Sequence, residues 1–304
     1  MRKEERNQKR ETRKKPRPVI RYADAQVVVV EKPAGLTTMR HAGEAAEFGR
    51  RALRFLPSTL ADILPDLLTE HEKQRRLGKR NPASPGRGNK SPARPFSPSP
   101  PRSYLRAVHR LDKETSGLVV FARTRRAEQQ LGLQFRAHSI ERRYLAVVRG
   151  HARSGKIESW LVRDRGDGRR GSAPRGRQSS NREENKPARR DQQNKAAQRA
   201  VTHVRILENL GDFTLVECRL ETGRTHQVRI HLGEAGTPIC GERIYDRPLH
   251  GKPLSDSSQA PRLALHAARL DFDHPATGRR MTFSSTFPAD LAEWLERIRR
   301  RANR

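Results

Sequence analysis

The sequence has 304 residues, with 64 Lys and Arg against 34 Asp and Glu, so the formal net charge is +30. Apolar residues make up 33% and aromatic residues 5%, which is low for a wholly folded chain and predicts some disorder. The charge favours nucleic acid over an anionic membrane as partner, since no apolar run approaches the ~20 residues of a spanning helix. The basic N-terminus lacks the apolar core of a secretory signal. We therefore expect a cytoplasmic protein in which Cys218 and Cys240 are reduced thiols.

The chain begins with a basic segment, residues 1–17, that contains nine Lys or Arg and three acidic residues. It predicts a flexible tail that either contacts phosphate or is simply solvated. Val19 to Val30 then predicts one or two strands around a turn at Ala23-Asp24. The β-branched run Val27 to Val30 is typical of a strand that is buried on both faces.

Two helices are predicted next, at 44–56 and 59–68, before the composition changes in residues 71–102. The second helix has an apolar stripe formed by Leu60, Ile63, Leu64, Leu67 and Leu68. Seven prolines fall between Pro82 and Pro101 among Ser, Gly, Lys and Arg. This segment predicts a disordered insertion, either lying over bound RNA or passive.

The remaining elements alternate irregularly around a second basic segment, 163–199, with twelve Lys or Arg and five acidic residues. Strands are predicted at 118–122, 144–148, 201–207, 213–220, 263–267 and 269–272. Helices are predicted after Thr124, after Thr222, and around Leu291, Trp294, Leu295 and Ile298. We predict an α+β fold with a mixed, mostly antiparallel sheet and flanking helices. One domain, 18–304, is interrupted by disordered basic insertions at 71–102 and 163–199.

Asp112 is the most informative acidic residue of the sequence. It lies in the run His109-Arg110-Leu111-Asp112-Lys113-Glu114-Thr115-Ser116-Gly117-Leu118, in which a turn-forming stretch leads into an apolar one. This pattern predicts a carboxylate on a loop before a buried strand, where catalytic groups are common. An Asp that merely caps a turn is the plainer interpretation of these residues alone.

The run 109–118 resembles the active-site motif of the RluA-type pseudouridine synthases. Further blocks resemble motifs of that family in the same order, at 24–36, 143–150, 222–231, and 263–266 with His274-Pro275. The likeness covers roughly residues 18–298 and implies the pseudouridine synthase fold. Glu242 stands where the family usually has Asp, which we expect to affect packing more than chemistry, and the loop 37–41 does not follow the family pattern.

The resemblance implies conversion of uridine to pseudouridine, which breaks the N1–C1′ bond, turns the base over and forms a C5–C1′ bond. No electron is exchanged, so no cofactor is expected. Asp112 would be the nucleophile, acting at C6 of uracil or at C1′. Arg229 would hold it with a bidentate fork, and Tyr144 would stack on the base and assist proton removal. A Tyr pKa near ~10 makes a poor base, so burial beside ions would have to assist.

The same resemblance suggests residues that bind the RNA. Arg110 would contact the backbone and hold the target nucleotide out of the stack. Arg224 and His226 are candidates for phosphate contact, and Leu265 for lining the base pocket. No metal is expected, because His226 and His231 lack a supporting carboxylate or Cys cluster.

The function predicted from the sequence is therefore an RNA pseudouridine synthase, acting as a monomer. Ribosomal RNA is the preferred substrate on charge alone, with transfer RNA as the alternative. A non-catalytic RNA-binding or ribosome-assembly factor is a different class, which retention of Asp112, Tyr144 and Arg229 argues against. A general basic nucleic-acid coat protein would explain the charge but none of the motifs.

Overall fold

A computed structural model describes residues 16–40, 55–78, 104–173, 197–249 and 251–303. Its strands are β1 Val19–Ala23, β2 Val27–Lys32, β3 Arg106–Ala107, β4 Ser116–Ala122, β5 Glu141–Arg149, β6 Gly155–Val162, β7 Gly171–Ser172, β8 Gln198–Leu210, β9 Phe213–Leu220, β10 Leu265–Asp273 and β11 Arg280–Ser284. Its helices are α1 Leu60–Gly78, α2 Arg125–Arg136, α3 Gln227–Glu234 and α4 Ala289–Ala302.

All these strands belong to one sheet, in the order β1-β2-β4-β10-β5-β9-β8-β6-β7, with β11 beside β10 and β3 beside β4. Neighbouring strands of the described ranges run antiparallel except β4 and β10, which are parallel. The predicted α+β class with a mixed, mostly antiparallel sheet is confirmed.

Strands β2 and β4 are buried on both faces of the sheet, because their residues alternate between two apolar clusters. Val28 and Val30 pack in the larger cluster with residues of α1 and α4, including Trp294. Val27 and Val29 pack in the second cluster with Ala127 and Leu131 of α2. Thr124 caps α2 as predicted, its Oγ1 accepting a hydrogen bond from the Ala127 N–H at 3.0 Å.

The central strands β4, β10 and β5 place residues that are far apart in the sequence next to one another. Ala267 of β10 pairs with Gly117 of β4 on one side and with Tyr144 of β5 on the other. A Cβ on Gly117 would lie 2.3 Å from the Ala267 carbonyl oxygen, and the φ of Gly117 is +122°, so only glycine fits there. The close approach sets the loop before β4 beside the start of β5.

Several predicted boundaries are wrong. The first is the start of the insertion at 71–102, because α1 continues to Gly78 and its Glu72 pairs with Arg123 at 3.0 Å. The strands at 263–267 and 269–272 form a single β10 with a bulge between Ala267 and Arg269. Strands β3, β6, β7 and β11 were not predicted.

The second predicted insertion, 163–199, is ordered at both ends. Asp164 Oδ1 accepts hydrogen bonds from the N–H groups of Gly166 and Gly168, at 2.8 and 2.9 Å, and so forms a tight turn before β7. Strand β8 begins at Gln198. Residues 1–15 of the predicted tail 1–17, residues 44–54 of the helix predicted at 44–56, and the segments 79–103 and 174–196 lie outside the described residues, and residues 55 and 56 are not helical.

Candidate active site

The structure brings all the predicted site residues together around one pocket of about 460 Å³. They are Arg110, Asp112, Tyr144, Arg224, His226, Arg229 and Leu265. The walls come from the loop between β3 and β4, the starts of β5 and β10, and the loop that leads into α3. These elements surround the central parallel pair of the sheet.

The loop that carries Asp112 is held on both sides of the carboxylate by residues near the N-terminus. Thr38 Oγ1 donates to the Leu111 carbonyl at 2.8 Å and accepts from the Leu111 N–H at 3.1 Å. The Lys113 carbonyl accepts from the Gly35 N–H at 2.7 Å and from Lys32 Nζ at 3.2 Å. The loop at 37–41, to which the sequence assigned no role, therefore contributes the residue that fixes Leu111.

Lys32 is fully buried beneath this loop. Its Nζ also donates to the carbonyls of Pro33 and Leu36, at 2.9 and 2.7 Å. Burial lowers the pKa of Lys32 to about 7, while the charge of Asp112 opposes this shift. Its ammonium thus links the end of β2 to the candidate nucleophile loop.

Arg229, on α3, faces two carboxylates and binds one of them closely. Its Nε and Nη2 donate to the two Glu242 carboxylate oxygens at 2.6 and 2.8 Å, while its Nη1 lies 3.8 Å from Asp112 Oδ2. The expected bidentate fork on Asp112 is therefore wrong: the fork holds Glu242. Glu242 was expected to matter mainly for packing, but it is the residue that orients Arg229 toward Asp112.

Glu242 is held in turn by the backbone. One of its carboxylate oxygens accepts the N–H groups of Arg243 and Ile244, at 2.9 and 2.8 Å. Burial alone would raise the pKa of Glu242, but the hydrogen bonds and charge of Arg229, with these N–H groups, lower it below the usual value. The carboxylate is therefore ionised beneath Arg229.

His226 approaches Asp112 from the other side. Its Nε2 lies 3.8 Å from Asp112 Oδ1, and its Nδ1 is 2.8 Å from the Tyr245 hydroxyl. The backbone of His226 adopts φ = +60°, which is rare outside glycine and strains the turn into α3. Burial lowers the pKa of His226, although the charge of Asp112 opposes this, so the neutral imidazole is favoured near pH 7.

Tyr144 lies in β5 and is 8% exposed. Burial raises its pKa to about 12, with the nearby Arg142 guanidinium acting in the opposite direction. In these surroundings, desolvation of the phenolate exceeds the effect of the Arg142 cation, so the burial of Tyr144 does not by itself make it a better base. The position of its ring against the pocket suits stacking on a base.

The other predicted residues differ in exposure. Arg110 is exposed at the rim, and Leu265 is buried in the wall. Arg224 is half-buried and donates from Nε to the Arg199 carbonyl at 3.0 Å. The pocket also contains residues that the sequence did not single out, Arg136, His138 and Arg142. Arg136 and His138 reach the pocket because α2 packs against β4 and β10, an arrangement that no local motif encodes.

His226 and His231, which were considered as a metal pair, have separate partners. His231 Nδ1 is 2.9 Å from Thr202 Oγ1, and its Nε2 is 3.0 Å from Ser159 Oγ. Within the described ranges, no group of His, Cys, Asp and Glu has the composition of a metal site. In the same ranges, no helix is both long and apolar enough to cross a bilayer.

Comparison with known proteins gives the family. Residues 26–234 match the sequence profile of the RNA pseudouridylate synthases. The chain belongs to the RNA pseudouridylate synthase family. The matched range begins one residue before β2, ends with α3, and contains Asp112, Tyr144 and Arg229.

Curated relatives of this family are similar over most of the chain. "Ribosomal large subunit pseudouridine synthase D" of Neisseria meningitidis serogroup A is 33% identical over 92% of this chain and 61% of its own length. The protein of the same name from Pseudomonas aeruginosa is 32% identical over 91% and 70%. That of Zymomonas mobilis is 40% identical over 60% and 53%. The chain thus spans only 53% of the length of the Zymomonas mobilis relative and 61% of that of the Neisseria meningitidis relative.

A solved structure supports the fold. "Human RNA Pseudouridylate Synthase Domain Containing 4" superposes with a TM-score of 0.59 at 23% identity, covering 92% of each chain. "Human RNA Pseudouridylate Synthase Domain Containing 1" gives a TM-score of 0.53 at 19% identity. The open mixed sheet with its flanking helices is therefore the pseudouridine synthase fold.

Proposed function

We propose that this chain is an RNA pseudouridine synthase that isomerises specific uridines in ribosomal RNA. The observation that carries the proposal is the setting of Asp112: its half-buried carboxylate, 18% exposed, lies 3.8 Å from both Arg229 Nη1 and His226 Nε2 in a pocket lined by Tyr144. The family match and the names of the relatives support it.

In this proposal Asp112 is the nucleophile, at C6 of uracil or at C1′ of the ribose. Its carboxylate has no side-chain hydrogen bond among the described residues, so its oxygens remain available to a substrate. Arg229 Nη1 lies 3.8 Å from this carboxylate but does not enclose it, because the Nε and Nη2 groups of Arg229 are bound by Glu242. The carboxylate therefore faces a cation and stays open to a substrate.

Tyr144 and Leu265 would hold the extruded uracil between an aromatic face and an apolar wall. A Tyr144 pKa of about 12 favours this stacking role over proton removal before the substrate binds. Arg110, exposed at the rim, would hold the RNA backbone after the nucleotide has left the stack. Arg224 and His226, which line the same pocket, would contact phosphate groups of the RNA.

Ribosomal RNA is proposed as substrate because curated relatives are named for the large ribosomal subunit. The net charge of +30 fits any RNA and does not discriminate between classes. Action as a monomer in the cytoplasm is part of the same proposal.

Ribosomal RNA and transfer RNA labelled with tritium at C5 of uridine provide the test. Forming the C5–C1′ bond expels that hydrogen, so tritium released to water measures the reaction. We expect release from ribosomal RNA by the wild type and none by Asp112→Ala. Release from transfer RNA alone would show that transfer RNA, and not ribosomal RNA, is the substrate. Release from neither RNA would favour the non-catalytic RNA-binding factor.

A further inference from the structure

Arg142 is a buried cation in the pocket that has no counter-ion among the described residues. It lies in β5 two positions before Tyr144, so both side chains leave the same face of the strand, and both line the pocket. Arg142 is 8% exposed. The mechanism proposed above does not use it.

The contacts of Arg142 satisfy little of its hydrogen-bonding capacity. Nη2 donates to the Glu221 carbonyl at a long 3.4 Å, and Nε, which is inaccessible to solvent, has no partner. The guanidinium carbon lies 5.5 Å from the centre of the Phe135 ring. No described carboxylate forms an ion pair with Arg142, although its neighbour Arg143 pairs with both Glu141 and Glu217.

An uncompensated buried guanidinium destabilises a fold, and folded proteins rarely retain one without a use. Other buried charges near the pocket are compensated, Arg229 by Glu242 and Lys32 by carbonyl oxygens. The cations Arg110, Arg136 and Arg224 line the same pocket. This side of the pocket is therefore electropositive and is suited to an anion.

We infer that Arg142 binds a phosphate of the target uridine once that nucleotide has entered the pocket. This inference rests on the proposed function, because RNA supplies the anion. A uracil carbonyl is neutral and would leave the charge uncompensated, whereas a phosphodiester compensates it and accepts two parallel N–H groups from one guanidinium. Because Arg142 and Tyr144 share one strand face, the phosphate and the base of one nucleotide would be held together.

Gly223 permits this placement of Arg142. A Cβ at position 223 would lie 2.4 Å from Arg142 Nη1 and 3.4 Å from its guanidinium carbon. The absence of a side chain there leaves room for the guanidinium beside the loop that carries Arg224 and His226. A larger residue at 223 would displace the end of the Arg142 side chain.

Calorimetric titration with small ligands tests the inference without requiring turnover. The ligands are uridine, its 5′-phosphate, its 3′-phosphate and its 3′,5′-bisphosphate, at constant ionic strength. The proteins are the wild type, Arg142→Met, which retains most of the side-chain volume, and Arg143→Met as the matched control. Tritium release from ribosomal RNA is measured on the same preparations.

We expect the wild type to bind the bisphosphate about 10- to 100-fold more tightly than uridine, a range typical of charge-assisted hydrogen bonds. Arg142→Met should lose this difference and Arg143→Met should keep it. The two monophosphates identify which phosphate is bound. Equal weakening of uridine and bisphosphate by Arg142→Met would overturn the inference, since it would indicate a contact to the base. Unchanged binding would overturn it as well.

Thermal unfolding separates this role from a structural one. If the guanidinium is retained for a ligand, Arg142→Met should leave the melting temperature unchanged or raise it. A clear fall would show that Arg142 supports the fold and would overturn the inference. Gly223→Ala should weaken bisphosphate binding in the wild type but not in the Arg142→Met background.

The two proposals can fail independently. Phosphate-dependent binding that requires Arg142, without tritium release from any RNA, would support the anion site and overturn the synthase activity. Tritium release that is equal in the wild type and in Arg142→Met, without phosphate-dependent binding, would support the synthase activity and overturn the anion site.

Discussion

Two walls of the candidate active site contain buried arginines in opposite electrostatic states. On the α3 side, Arg229 is bound by both oxygens of Glu242, and backbone N–H groups hold Glu242. On the β5 side, Arg142 has one long hydrogen bond to a carbonyl and no ion pair among the described residues. The charge of Arg229 is therefore compensated by Glu242, whereas we propose that an RNA phosphate compensates the charge of Arg142.

The comparison separates residues whose charge is compensated within the protein from residues whose charge we expect a substrate to compensate. Arg229 is held in one orientation by Glu242, which suits a group that presents a cation to Asp112. Arg142 is the group whose burial a ligand would compensate. The predictions below test this division, and each reports stability and activity together.

The largest effect is expected for Asp112→Asn. It retains the shape of the side chain but removes the charge of the proposed nucleophile, so tritium release should fall on the order of 10⁴-fold or more. The melting temperature should change little, because the carboxylate lies 3.8 Å from its nearest charged partners. Glu114→Gln, which changes an exposed acid on the same loop, is the matched control. Comparable activity of the two variants would contradict the assignment of Asp112.

Glu242→Gln should destabilise the α3 wall. It removes one charge of a buried pair and leaves Arg229 partly uncompensated, which typically costs about 3–5 kcal/mol. Denaturant unfolding measures the loss, and tritium release should fall as Arg229 loses its orientation. Glu242→Asp retains the charge but shortens the side chain, so a larger loss in Glu242→Gln than in Glu242→Asp identifies charge as the main contribution.

Thr38→Val tests the support of the Asp112 loop. The substitution leaves the buried N–H and carbonyl of Leu111 without their partner, at a cost of about 1–3 kcal/mol. We expect kcat to fall more than KM rises, because Asp112 is displaced while the RNA-binding residues remain. Thr37→Val is the control, since the backbone carbonyl of Thr37, rather than its side chain, accepts the Leu60 N–H. Equal effects of the two variants would contradict a role for Thr38.

Acid should weaken the fold through buried neutral histidines. Burial lowers the pKa values of His231 and His266 to about 4 each. Below an unfolded pKa near ~6.5 the unfolded chain binds more protons, so stability falls as pH drops from 6.5 toward 4. Each histidine should cost about 2 kcal/mol at pH 5 relative to pH 7.5.

Urea unfolding of His231→Gln at both pH values isolates one of these contributions. The variant should lose less stability on acidification than the wild type does. His151→Gln, which changes an exposed histidine, should behave like the wild type. Identical pH dependence of His231→Gln and the wild type would show that His231 does not titrate in this way.

Local patterns predicted much of the fold and the centre of the site. The β-branched run in β2, the Thr124 cap of α2 and the turn before β4 depend on neighbours in sequence, and each was found where predicted. The roles of Asp112 and Tyr144 followed from the family resemblance, and the structure brings both residues to the same pocket.

Contacts over long sequence separations could not be predicted in the same way. Thr38 and Leu111 are 73 residues apart, and nothing in either segment indicates their hydrogen bonds. Glu242 was noticed only as a departure from the family, and its role depends on where α3 places Arg229. Arg142 occurs in the run Glu141-Arg142-Arg143, and only strand pleating shows which of the two arginines is buried.

Direct detection of pseudouridine tests the central claim. Unmodified large-subunit ribosomal RNA is incubated with the wild type or with Asp112→Asn, treated with a carbodiimide that retains its adduct on pseudouridine, and mapped by stops of reverse transcription. We predict stops at a small number of defined uridines with the wild type and none with Asp112→Asn. Stops that persist in Asp112→Asn, or that are absent with a folded, RNA-binding wild type, would contradict the account.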